Sequence, residues 1–258
     1  MLSLPLLATP GAAQLMALGP EFTISEDTTV CAEQPSVAAA ADGRFVVTWR
    51  TQARDEIRGR RFDGAGVALG GEQVLITGTG LSPSSTLVAD DGTFTVVWDT
   101  RPTATSGVVT ARRFDADGVA LGGPITVNPT TAIHDRSSAA GAGDGRFVVT
   151  WQEEDAPMRR NVWARLFDGG GSALGSAFVV SPSAEGTYNP SAGMEPDGDG
   201  FVVTWQEAQA ERIHARRYDG SGNALAPAFM VNTYTSGEHF NPNVAPVQAT
   251  KKPPEPST

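Results

Sequence analysis

The sequence predicts an all-β protein, a β-propeller-like array of four complete four-stranded blades plus an incomplete fifth contributed by both termini. Three observations predict it. The string RFVVTW at 44–49 recurs as TFTVVW at 93–98, RFVVTW at 146–151 and GFVVTW at 200–205, which spaces Trp49, Trp98, Trp151 and Trp205 by 49, 53 and 54 residues. A second string keeps the same step: RRFDGAGVALG from Arg60, RRFDADGVALG from Arg112, RLFDGGGSALG from Arg165 and RRYDGSGNALA from Arg216. The 258 residues also include 29 Gly and 18 Pro, which means many turns between short elements rather than long helices. Two unrelated signatures holding one period mark a tandem array, and a period of about 50 residues suits blades of four strands.

Within a unit, each element follows from its residues. In the third, Ser137 to Ala142 reads as a short strand of small residues, and Asp144-Gly145 is a tight hairpin signal. Phe147 to Trp151 is a strongly β-forming run, Asn161 to Phe167 a third strand, Asp168 to Gly171 a second tight turn, and Phe178 to Val180 the closing strand. The second strand is apolar at nearly every position instead of alternating, so it is covered on both faces. A lone sheet cannot cover itself that way, and neighbouring units must therefore stack face to face. The tryptophans are expected in those interfaces. Burying one indole removes about 150–250 Å² from water, worth roughly 4–6 kcal/mol at about 25 cal/mol per Å².

The units run about 20–72, 73–124, 125–177 and 178–228, with a partial one at 229–248. Ala17 to Phe22 matches the ALG turn and outer strand, while Asn241-Pro242-Asn243-Val244 matches the start of an inner strand. Incomplete blades expose sheet edges, which makes an edge-mediated oligomer or a longer array an expected partnership. Residues 249–258, rich in Pro, read as a linker or tail. Residues 1–19 form a signal-like or disordered segment: LSLPLLA followed by TPGAA carries apolar and small-residue parts of a secretory signal without a positive n-region.

Charge and cysteine content exclude several functions. Twenty-nine acidic against 19 basic residues give a formal charge of −10, which argues against a nucleic-acid partner. The single cysteine, Cys31, rules out an internal disulfide, CxxC redox chemistry and a thiolate zinc cluster, and reads as a small buried or half-buried side chain. No run of eighteen apolar residues is present to span a bilayer as a helix.

The segment Phe201 to Ala245, FVVTWQ then IHARRYDGSGNAL then FMVNTYTSGEHFNPNVA, resembles the repeats of large extracellular bacterial proteins, adhesin-like or grouped with haemolysin-type calcium-binding proteins. The likeness extends over about 20–245 and weakens in the second unit, where Ser82-Pro83-Ser84-Ser85 replaces the Asn-Pro step. It implies a secreted or cell-surface, non-catalytic recognition and adhesion module binding glycan or protein. The tandem GGxGxD motif of calcium rolls is absent, so no cofactor is expected, with calcium left open.

Binding is expected on the face whose loops vary from unit to unit. Its candidate residues are Glu33, Gln34, Asp99, His134, Asp135, Glu153, Tyr188, Asn189, Glu207, His239 and Asn241. Arg60, Arg112, Arg165 and Arg216 fall two residues before the aromatic of the third strand, on its side of the sheet. They are expected to lay their stems on the core and pair with carbonyls or carboxylates, rather than to cluster on an acidic sugar. Turn aspartates Asp63, Asp115, Asp168 and Asp219 are explained by Asx turns, and no set of residues has metal-ligand spacing. The alternative to a binding module is a propeller glycoside hydrolase with acidic catalysts on the same variable face; Glu153, Asp155 and Glu207 offer such pairs, and no catalytic residue is singled out.

Overall fold

The computed structural model describes residues 21–245 except 52–54, 104–105, 130–131, 133, 157–158, 182–185, 208–211 and 234–239. Sixteen strands form four antiparallel sheets, each a meander of four strands consecutive in sequence. Sheet 1 holds β1 (Ala32–Ala39), β2 (Phe45–Thr51), β3 (Glu56–Phe62) and β4 (Gln73–Thr77). Sheet 2 holds β5 (Leu81–Val88), β6 (Phe94–Thr103), β7 (Ser106–Phe114) and β8 (Ile125–Thr126). Sheet 3 holds β9 (His134–Gly141), β10 (Phe147–Ala156), β11 (Arg159–Phe167) and β12 (Phe178–Ser181). Sheet 4 holds β13 (Thr187–Met194), β14 (Gly200–Glu207), β15 (Ile213–Asp219) and β16 (Phe229–Met230). The sequence units cut at 73, 125 and 178 thus begin one strand ahead of the sheets, on β4, β8 and β12.

Turn chemistry closes each meander at one end. Gly43, Gly92, Gly145 and Gly198 take positive φ, between 73° and 89°, in the hairpins joining the first and second strands. A side chain there would strain the backbone, which is why the Asp-Gly pairs and Gly198 recur at these points. In the turns joining third and fourth strands, Asp63, Asp115 and Asp219 each accept two backbone N–H bonds from residues two and four ahead, at 2.8–3.0 Å. These are Asx-type bonds and need no metal.

Alternation along the second strand turns one set of side chains to each neighbouring sheet. Val46, Ile57 and Leu75 of sheet 1 meet Phe94, Val96 and Trp98 of sheet 2. Val97, Val109 and Val127 of sheet 2 meet Phe147, Val149 and Trp151 of sheet 3. Val148, Val162 and Leu166 of sheet 3 meet Phe201, Val203 and Trp205 of sheet 4. The four in-phase tryptophans are between 0% and 5% exposed. Sheets 2 and 3 are therefore each half of two cores, the architecture of stacked propeller blades.

Inner strands β1, β5, β9 and β13 stand side by side around an axial channel of about 730 Å³, lined by their small residues and by Asn241 to Val244. A serine ladder joins them: Ser36, Ser85, Ser138 and Ser191 accept, through Oγ, the N–H of Thr86, Ala139, Ala192 and Val244 on the next position at 2.9–3.3 Å. Residues 241–244 thus occupy a fifth place on the axis. On the other side, Phe22 and Ile24 cover sheet 1, where Arg60 donates to the Ile24 carbonyl at 2.9 Å as Arg165 donates to the Val127 carbonyl at 3.0 Å. The chain from 22 to 26 therefore takes the place of an outer strand beside sheet 1, and the fifth blade is incomplete. Sheet 4 shows the consequence: Val231 is 49% exposed where its counterpart Val180 is 1% exposed. Cys31 departs from expectation, being exposed, because the β1 start is an outlying stretch with few neighbours to cover it.

Candidate functional site

The ends of the second strands away from the tight turns bring the variable residues together. Along each, the residue after Trp points toward the following sheet and the residue two after Trp toward the preceding one. Those positions read Arg50 and Thr51, Asp99 and Thr100, Gln152 and Glu153, Gln206 and Glu207. A seam between two sheets therefore collects the first residue of one blade and the second residue of the next. Arg50 and Thr100 fall on the seam of sheets 1 and 2, Asp99 shares the next seam with Glu153, and Gln152 shares the third with Glu207.

Two carboxyl groups share a seam only between sheets 2 and 3, among the described residues of these positions. Asp99 is 9% exposed and accepts the Ser137 N–H on Oδ2 at 3.2 Å, while its buried Oδ1 has no hydrogen-bond partner. Burial pushes the Asp99 carboxyl up to about 6, against the lowering effect of Ser137 and the Arg101 charge. Glu153, 6% exposed, accepts the indole N–H of Trp151 on Oε2 at 3.2 Å, and His134 Nδ1 stands 3.5 Å from the same oxygen. His134 is itself 1% exposed and edges onto the Trp151 ring. The arrangement is a carboxyl poised to hold its proton and a second one bonded to an indole N–H with an imidazole beside it.

The seam between sheets 3 and 4 is open where that one is filled. Gln152 accepts the Asn189 N–H at 3.1 Å across it, and Gln206 accepts from the Asn189 side chain at 2.9 Å. Farther out lies a cavity of about 360 Å³ that Trp205, Glu207, His214 and Arg216 help to line. His214 stacks on Trp205 with ring centroids 6.0 Å apart, and its Nδ1 is 4.0 Å from Glu207 Oε2.

The other expected residues are dispersed around the mouth of the channel. Gln34, Asn189 and Asn241 hold left-handed backbone, with φ of 51° to 52°, as does Arg136, at the irregularity where each inner strand begins. Glu33 pairs across the sheet with Arg50, and half-buried Tyr188 with Gln206. Asp135 pairs through its backbone with Gln152, its side chain falling outside what is described, and His239 lies outside the described residues. Arginines of the third strand are structural in geometry: Arg60, Arg165 and Arg216 donate from Nε to the carbonyls of Gly70, Gly175 and Ala226 at 3.1–3.2 Å. The four guanidinium carbons, Arg112 included, sit 5.6–5.8 Å from the ring centre of the aromatic two residues on.

Sequence reasoning missed Trp163, Asn128 and Thr187. Trp163 stands at the third-strand position two before the arginine and Thr187 at the start of an inner strand, positions that differ in every unit, while Asn128 follows an outer strand as Asn232 does. No group of three or more His, Cys, Asp or Glu placed to hold a metal occurs among the described residues. Among the described residues no helix is long and apolar enough to cross a membrane.

No family model and no curated protein matches the sequence. Solved structures share its fold. An α-L-arabinofuranosidase from Lactobacillus brevis is 12% identical with a TM-score of 0.50, the match covering 78% of this chain and 73% of that one. The Hadza microbial sialidase Hz136 is 12% identical with a TM-score of 0.55, over 78% of this chain and 46% of its own, so the chain spans less than half of that protein. An endo-arabinase from Bacteroides thetaiotaomicron is 10% identical with a TM-score of 0.51, over 83% and 85%. These neighbours show a β-propeller fold. They also correct the expectation of a non-catalytic, non-enzymatic adhesion module: these three proteins are by name carbohydrate-cleaving enzymes, which moves the reading to the hydrolase alternative, with activity a matter for proposal.

Proposed function

We propose that the chain is a propeller glycoside hydrolase in which Asp99 donates the proton and Glu153 is the second carboxylate. The observation that supports this reading is the asymmetry of the seams: a repeat that builds four similar blades places two carboxyl groups on one seam alone among the described positions. A binding module would repeat one pocket from blade to blade, whereas hydrolysis needs one acid and one base in a single place.

In the reaction, the Asp99 proton passes to the leaving glycosidic oxygen as its bond to the anomeric carbon breaks. A water oxygen bonds to that carbon, and the proton it loses goes to Glu153. Burial suits Asp99 to the first role, since a carboxyl titrating near 6 is still protonated in mildly acidic solution. The Trp151 indole N–H donates to Glu153 Oε2 and so restrains the rotation of that carboxylate. An extracellular site of action accords with polymeric carbohydrate as substrate.

The test is release of nitrophenol from 4-nitrophenyl α-L-arabinofuranoside and from aryl glycosides of other sugars. Asp99→Asn and Glu153→Gln should each lower kcat by about 10²–10⁴-fold. The wild-type rate should fall as pH rises through about 6, where Asp99 loses its proton. Absence of hydrolysis across the panel, or rates untouched by both substitutions, would reject the proposal.

A further inference from the structure

Comparing equivalent positions on two seams identifies a second site. On the seam of sheets 2 and 3, the ring of His134 stands beside Glu153, the Asn128 amide accepts the Val109 N–H at 2.7 Å, and the Trp163 indole, opposite Trp151, packs against the core cluster. The corresponding residues on the seam of sheets 3 and 4 are Thr187, Ser181 and His214, placed by the pairing of Thr187 with Glu207 and of His214 with Trp205, and by the Ser181 hydroxyl taking the Val162 N–H. Each replacement is smaller. The space that three larger side chains fill on one seam is the 360 Å³ cavity on the other.

We infer that this cavity binds a single neutral sugar residue, at a site separate from Asp99 and Glu153. Its volume falls at the lower end of the range of about 300–1,000 Å³ usual for small-molecule sites, fit for one sugar ring. Polar groups line one wall. The Glu207 carboxylate accepts from hydroxyls, and His214 Nδ1, buried, makes no hydrogen bond. At 4.0 Å that nitrogen is too far from Glu207 Oε2 for a direct bond, so the carboxylate keeps its accepting capacity for a ligand hydroxyl. Val180, Pro227 and the edge of Trp205 supply an apolar wall for the C–H face of the ring. Glu207 and Arg216 bring one negative and one positive charge, which matches an uncharged polyol better than an anion or a metal ion.

The inference does not depend on hydrolysis, and the experiment keeps the two apart. Free L-arabinose, L-fucose, D-galactose and D-glucose are titrated into the full chain, with tryptophan fluorescence and ligand-observed NMR as readouts. At least one should bind with a dissociation constant of about 1 mM or tighter. Refilling the space by Thr187→His with His214→Trp should weaken that binding by at least about tenfold, and Glu207→Gln should do so by a similar factor. Asp99→Asn should bind as the wild type does. The inference is overturned if none of the four sugars saturates, or if the refilled variant, folded by circular dichroism, binds unchanged. Should the refilled variant fail to fold, unchanged affinity in Glu207→Gln overturns it alone.

Discussion

The seams on the two faces of sheet 3 have the same core and different ends. Val149 and Trp151 stack against Val97 and Val109 on one face, and Val148 and Val162 against Val203 and Trp205 on the other. Beyond the tryptophan the two part. Glu153 on one is covered by His134, while Glu207 on the other borders an open cavity. The difference teaches that in this repeat the tryptophan ends the shared core, and whatever lies past it is free to vary because it no longer holds two sheets together. Stability and specificity occupy different stretches of the same strand.

The comparison breaks most visibly at the tryptophans. Trp151, 0% exposed and packed on all sides, should cost about 3–5 kcal/mol when changed to Ala, and Trp205, already beside a cavity, about 1 kcal/mol less. Chemical denaturation of both variants measures the gap, and equal losses would mean the two seams are packed alike.

A smaller effect separates them by pH. The Asp99 carboxyl titrates near 3.8 when unfolded and near 6 when folded, so between those values the folded chain keeps a proton the unfolded chain gives up. Stability therefore falls as pH rises from about 4 to about 6 and levels off above, by about 3 kcal/mol in all. Asp99→Asn should remove that slope and be more stable relative to wild type at pH 7 than at pH 4. Thermal melts at the two values check this, and a slope that survives the substitution would place the titrating group elsewhere.

The smallest expected effect lies on the axis. Ser138→Ala removes one rung of the serine ladder between two complete blades, and Ser191→Ala removes the rung that holds Val244 at the fifth place. Each should cost about 1 kcal/mol, the usual worth of one hydrogen bond. Hydrogen exchange at the Val244 amide should quicken only in Ser191→Ala.

The burial of Trp49, Trp98, Trp151 and Trp205 and the placing of the four arginines over their aromatic neighbours were legible in the sequence because each occurs four times in phase, and repetition separates a structural position from chance. The turns were legible for the same reason: Asp-Gly pairs require the positive φ that Gly43, Gly92 and Gly145 adopt. The site was legible only in part. Asp99, Glu153 and Glu207 stood among eleven candidates with nothing to rank them, since chain position says which loop face a residue is on and not which seam.

By itself, then, the sequence determined the architecture, because alternation, turn residues and period are local properties that every unit states again. Tertiary structure alone decided that Asp99 and Glu153, 54 residues apart, lie on one seam, and that Thr187 and His214 leave room where His134 and Trp163 do not. The physical reason is that a seam is made by two blades at once. Its polarity and its free volume belong to the sum of side chains from both sheets, and neither repeat carries that sum alone.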